Sequence, residues 1–239
     1  MRRLYSFAIA STLLLGNSAM LFAQEGEALG GREILKKYFI DGGATFMGIV
    51  LLCLILGLAI AIERIISLNL ATTNTSGLLK KIEARLSDGD LEGAKEVCKS
   101  TRGPVASIFY QGLNRASDGD MDMVEKSIVS YGSVQMGRLE RGLVWLALFI
   151  ALAPMLGFMG TVLGMIQAFD SIEAAGDISP GLVAGGIKVA LLTTVFGLIV
   201  AIILQIFYNY IISKIDGIVN NMEDASISLV DLVHRYKKR

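Results

Sequence analysis

The chain has little of what most function classes require. Its 239 residues include two cysteines, three prolines, one histidine and one tryptophan. Cys53 falls in an apolar run and Cys98 in a polar helical region, so no disulfide or metal framework is implied. The lone His234 sits in a polar tail beside Arg235, which suits a surface role better than catalysis or metal binding. No nucleophile–base set occurs, and enzymatic chemistry has little support. Excess charge is missing too. The 22 basic and 22 acidic residues cancel, whereas a nucleic-acid binder would carry a basic surplus. Two stretches imitate ligand loops and fail. Asp118, Asp120 and Asp122 begin like a calcium loop, but the sixth position is Met123 and the twelfth Val129. Residues 181–188 (GLVAGGIK) imitate a phosphate-binding loop, but Ile187 separates Gly186 from Lys188 and Val189 follows.

What is present is apolar: 53% of the residues are hydrophobic, too many for an ordinary soluble domain. Residues 42–62, 142–169 and 189–213 hold no charge, and the apolar pattern of the last begins near Leu182. Each reaches the roughly 20 residues that cross a bilayer as a helix. The expectation is an all-α membrane protein with three transmembrane helices, over 42–62, 142–169 and 182–213. Residues 1–23 have Arg2 and Arg3 before a moderately apolar stretch, as a signal peptide or an uncleaved anchor would. Residues 24–41 then form a periplasmic N-terminal segment.

Basic residues set the orientation. Arg64, Arg138, Arg141 and Lys214 flank the spans on one side, while the 170–181 link has Asp170, Glu173 and Asp177 and no base. Residues 63–141 and the tail 214–239 are therefore expected in the cytoplasm and 170–181 in the periplasm. Residues 63–141 hold eleven acids and eleven bases, as a solvated helical domain would. Ser76 is positioned to cap a helix through about Leu86. The S-D-G-D at 87–90, repeated at 117–120, reads as a glycine stop followed by an aspartate cap. From Asp120 to Pro154 there is no proline and no strong turn signal. That predicts one helix from about 121 to about 170, on the order of 75 Å long.

Small residues fall in stripes inside the second and third spans. Pro154, Gly157, Thr161, Gly164, Ala168 and Ser171 follow a 3-4 spacing, and Gly160 with Gly164 adds a GxxxG. Gly186, Ala190, Thr194, Gly197, Ala201 and Gln205 make a second stripe. Tight packing accounts for the glycines and alanines. The threonines add more: Thr161 precedes Asp177 by 16 residues and Thr194 follows it by 17, so antiparallel spans bring both to one depth, with Thr193 adjoining. Hydroxyls at one level suit a narrow hydrated passage or the seat of a partner helix. No acid lies within a span, so a proton path would need a carboxylate from another protein. Lys188 either snorkels to the outer interface, toward Asp177, Glu173 or lipid phosphate, or tunes the passage entrance or meets an acid on a partner protein.

The segments R-L-E-R-G-L from Arg138, A-P-M-L-G-F-M-G-T-V-L-G-M from Ala153, A-L-L-T-T-V-F-G-L from Ala190, and Y-N at Tyr208–Asn209 resemble the MotA/TolQ/ExbB proton-channel family. The I-E-R ending at Arg64 is similar to that family's end of the first span. The resemblance implies a pentameric ring around a dimer of a one-span ExbD/TolR-like partner that carries the membrane aspartate. It also implies a TonB-like protein energised at the outer membrane from the bacterial inner membrane. No cofactor is implied. Thr161 and Thr194 match pore-facing threonines, and Thr193 and Gln205 join them as pathway candidates. Pro154, Gly157, Gly160, Gly164 and Gly197 match close-packing positions. Glu63, Arg64, Glu140, Arg141 and Asn209 match the cytoplasmic-end motif. Val189 stands where many members have a glutamate, so no role of that glutamate carries over. Three spans argue against MotA itself. The rivals are a TolQ-like envelope, gliding or secretion motor and a non-conducting scaffold. A solute transporter would show inverted repeats, which are absent from the sequence.

Overall fold

The computed structural model of the chain describes residues 31–116 and 121–238. The signal-like start, residues 24–30 and the S-D-G-D at 117–120 lie outside the described residues. Among the described residues every regular element is a helix: α1 (Gly31–Asp41), α2 (Ala44–Ala71), α3 (Thr75–Ser87), α4 (Leu91–Ser100), α5 (Pro104–Ala116), α6 (Met121–Leu139), α7 (Leu143–Ala175) and α8 (Pro180–Lys237). Among the described residues three stretches are long and apolar enough to cross a membrane, one each in α2, α7 and α8. This is a multi-pass, all-α membrane protein.

Local chemistry fixes most of the ends. Gly89 takes φ 77° after α3, and the Asp90 carboxylate accepts from the Gly93 amide at 2.8 Å to cap α4, as the S-D-G-D pattern requires. Asn74, not Ser76, caps α3: its Oδ1 accepts from the Gly77 amide at 3.0 Å, and the helix already includes Thr75 and Ser76. Ser179 caps α8 by accepting from the Leu182 amide at 3.3 Å, and Pro180 occupies the first turn, where no donor is missed.

The single helix expected over 121–170 is two helices. The chain leaves α6 at Leu139, turns through Glu140, Arg141 and Gly142, and restarts at Leu143. Gly142 adopts φ 88°, the left-handed region, where a Cβ would cost about 1–2 kcal/mol. No proline marks the break, so the only signal was one glycine among many. The long projecting helix is α8 instead. Its 58 residues run unbroken for about 87 Å, well beyond a bilayer.

α8 organises the molecule. Its buried residues Ala190, Thr193, Gly197, Val200, Leu204, Ile211, Ile215, Ile218, Met222, Ala225, Leu229 and Leu232 make one seam at largely 3-4 spacing. At its start, over Ala190, Thr193 and Gly197, the seam is small and faces α7. Along the second half it is bulky and aliphatic and receives α3, α5 and α6. Phe109, Ile108 and Leu113 of α5, with Leu78 and Ile82 of α3, complete that second core. Each such side chain stabilises it by about 1.5–3 kcal/mol. Cys53 in α2 and Cys98 in α4 are both buried and free. The membrane half instead leaves Leu52, Ile55, Trp145, Phe158, Leu191 and Ile202 exposed, as lipid or another subunit would cover.

Candidate functional site

The α7–α8 contact is built on backbone approach. A Cβ at Gly197 would lie 2.6 Å from the Ala153 carbonyl oxygen, and one at Gly157 would lie 3.1 Å from that of Thr193. Gly164 comes as close to the Ala190 backbone, and Gly186 faces Ala168. Small residues are needed here because the two helices nearly touch. The buried face of α7 is therefore Ala153, Gly157, Gly160, Gly164 and Ala168. The stripe read from the sequence mixes two faces. Gly157, Gly164 and Ala168 are buried, Pro154 and Thr161 sit half-buried at the rim, and Ser171 is exposed. Periodicity alone cannot choose between faces about 40° apart when all candidates are small.

The three threonines differ in setting. Thr193 is 1% exposed and opposes Gly160, and its hydroxyl donates to the Ala190 carbonyl at 2.8 Å. Thr194 is half-buried over Gly157. Its hydroxyl donates to the Ala190 carbonyl at 3.3 Å and lies 3.5 Å from that of Gly157. Thr161 donates to the Phe158 carbonyl at 2.6 Å. Because Gly160 faces Thr193, Thr161 comes within about one helical turn of Thr194. Each hydroxyl proton is committed to a backbone carbonyl, so what Thr161 and Thr194 offer beyond their own helices is oxygen lone pairs. Such groups accept from water or from a protonated carboxylic acid.

A polar strip continues down α8. Thr194, Gln205, Asn209 and Asp216 are spaced by 11, 4 and 7 residues and share one side of the helix. The Gln205 amide donates to Asn209 at 3.0 Å. The strip reaches a cavity of about 400 Å³ lined by Glu140, Leu143, Val144, Ala147, Tyr208 and Ile212 and, on the same wall, by Ile215 and Asp216. Asp216 was missed in the sequence, although its seven-residue spacing from Asn209 could have found it. Glu63 and Arg64 pair with each other at 2.6 Å. The Arg64 stem lies beside the Gly142 turn, 3.7 Å from where a Cβ would stand. Arg141 is exposed.

Lys188 has a partner other than those expected. Its ammonium lies 2.6 Å from the Asp41 carboxylate, at the end of α1, instead of reaching Asp177 or Glu173. Residues 147 positions apart leave no pattern in the sequence, so the pair was not legible there.

The MotA/TolQ/ExbB proton channel family's profile matches residues 100–224, from the end of α4 through most of α8. A biopolymer transport protein ExbB homolog of Methanothermobacter thermautotrophicus is 37% identical over 135 residues, covering 56% of this chain and 47% of that protein. The chain thus aligns with about half the length of that relative. The biopolymer transport protein ExbB of Neisseria meningitidis serogroup A is 28% identical over 193 residues, covering 74% of this chain and 86% of its own. An ExbB-like transport protein of Synechocystis is 27% identical over 183 residues, covering 75% and 71%. The matched region holds the glycine-packed pair, the threonine level and the α8 strip, and the chain belongs to the MotA/TolQ/ExbB proton channel family.

Proposed function

We propose that the chain is the channel and stator subunit of a proton-driven motor in a bacterial inner membrane. In this reading several copies, five by family resemblance, surround a single-span partner of the ExbD/TolR type. The partner brings the membrane carboxylate, and proton flow past it energises a TonB-like protein for transport at the outer membrane. The spans are 42–62, 142–169 and 182–213, with 63–141 and 214–239 cytoplasmic and 24–41 and 170–181 periplasmic. The lysine and arginine placement supports that orientation.

One observation carries the reading. Thr161 and Thr194 present acceptor oxygens at one level of a glycine-packed helix pair, and residues 142–169 and 189–213 contain no titratable carboxylate. A proton crossing there needs an acid from elsewhere. A protonated carboxyl on the partner would donate to these hydroxyls. Once it releases its proton it is a bare acceptor, and the threonines must then turn their own protons toward it or leave it to water. That difference between the two protonation states is what a proton-driven movement requires. Below this level Gln205, Asn209 and the cavity lined by Glu140 and Asp216 offer a hydrated route to the cytoplasm. Coexpression, copurification and proton-flux measurement with and without the single-span partner test the reading. A TolQ-like role in envelope constriction uses the same site, and deletion phenotypes separate it from uptake.

A further inference from the structure

The charged pair Asp41–Lys188 stands apart from the threonine face and has no role in the site described above. It joins the last residue of α1, just before the turn into α2, to α8, at 2.6 Å, with Lys188 half-exposed and Asp41 more sheltered. Gly42 and Gly43 follow at once, and Gly43 at φ 84° turns the chain into α2. Five residues beyond Asp41, Phe46 reaches the junction of three helices. Its ring edge and the Thr193 side chain both crowd Gly160: a Cβ on Gly160 would lie 2.8 Å from the Phe46 ring and 2.6 Å from Thr193 Oγ1. Met47, next in sequence, is 2% exposed. Phe39 of α1 meets Phe196 edge-on, with ring centroids 6.0 Å apart, on the same side. Further along, Leu204 of α8 fills the space beside Gly57 of α2. The α2–α8 contact is thus held by packing along its length, and the ion pair ties the turn that precedes α2 to the end of α8 facing the α7–α8 link.

We propose that Asp41 and Lys188 are positioning residues: their ion pair pins the turn between α1 and α2 to α8 and so keeps Phe46, in the first turn of α2, seated on Gly160 and Thr193. That closes the crevice between α2, α7 and α8 to water from the link side. Thr193 is then kept dry by design of the fold, while Thr161 and Thr194 sit half-buried at the rim of the α7–α8 contact. The inference rests on the proton-channel reading in one respect only: a wet crevice at Thr193 would let protons bypass the Thr161–Thr194 face. The seal itself is a geometric claim and stands or falls separately.

The test uses the full chain in membranes, with Cys53→Ala, Cys98→Ala and Thr193→Cys, and a membrane-impermeant maleimide applied on the link side. With the pair intact Cys at 193 is expected to label slowly. Asp41→Asn and Lys188→Met should each raise the rate by on the order of five-fold, the population shift expected for loss of a part-exposed ion pair. The charge-swapped Asp41→Lys/Lys188→Asp chain should return the rate to near its starting value, which a merely structural lesion would not. Phe46→Ala, which leaves the pair in place, should raise labelling as well and serves if the charge variants accumulate poorly. Unchanged labelling in both single charge variants, or in Phe46→Ala, overturns the proposal. Because labelling does not depend on proton-coupled work, a sealed crevice in a non-conducting protein would refute the channel reading and leave this one standing.

Discussion

The Thr194 hydroxyl lies 3.5 Å from the carbonyl oxygen of Gly157, across the glycine-lined α7–α8 contact. That proximity exists because Gly157 has no side chain; a Cβ there would stand 3.2 Å from the Thr194 Cα. Glycine supplies the approach, and in the proposed function threonine supplies the chemistry. Changing them should therefore give different phenotypes.

Gly197→Leu and Gly160→Leu are expected to break packing. At Gly197 the added Cβ meets backbone, which cannot rotate away. Overpacking of this kind costs about 1–3 kcal/mol or more. Reduced accumulation and a lower midpoint for thermal dissociation in detergent check it; wild-type amounts and stability would count against the packing described.

Thr161→Val and Thr194→Val keep shape and remove the hydroxyl. Both variants should insert and assemble normally and lose proton-coupled work. Loss of a hydrogen bond to a charged or proton-exchanging group is worth about 1.5–3 kcal/mol, roughly a ten- to hundred-fold fall in turnover. Thr193→Val should act mainly on stability, since its hydroxyl serves Ala190 alone and is buried. Turnover and assembly measured side by side separate the two classes.

Cys98 gives a solution check on the helical domain. Burial pushes its thiol from an ordinary 9.0 up to about 12. The folded chain should resist maleimide at neutral pH and react once denatured, because the thiolate is the nucleophile. The folded state also keeps a proton that the unfolded chain releases, so this group's contribution to stability falls as pH rises between about 9 and about 12.

Orientation is open to single-cysteine labelling. Asp177→Cys, in the link, should react from the periplasmic side, and Ser130→Cys, on the exposed side of α6, only from the cytoplasm. Reaction of position 130 from outside intact cells would reverse the proposed topology.

The sequence made some of this legible and hid the rest for physical reasons. The absence of charge over 142–169 and 189–213 marked two spans, because lipid tolerates so little else. The glycine-aspartate pattern at 89–90 marked a helix end and the next start, because both residues act locally. The split at Gly142 was hidden, since a glycine in a helical pattern signals a turn only when neighbours such as Arg64 fit against it. Thr161 and Thr194 were legible as a matched pair from their spacing about Asp177. That Thr193, one residue away, is the buried one needed the register of Gly160 against α8. The Asp41–Lys188 pair needed the whole bundle.

The central claim is that this chain holds a proton path but lacks its acid. The most direct measurement is proton flux into liposomes containing the purified protein alone, the protein with its single-span partner, and the protein with a partner whose membrane aspartate is changed to asparagine. The account expects flux only in the second case, abolished there by the Thr161→Val/Thr194→Val double substitution. Robust flux from the protein alone, or full flux with the double valine variant, would contradict it.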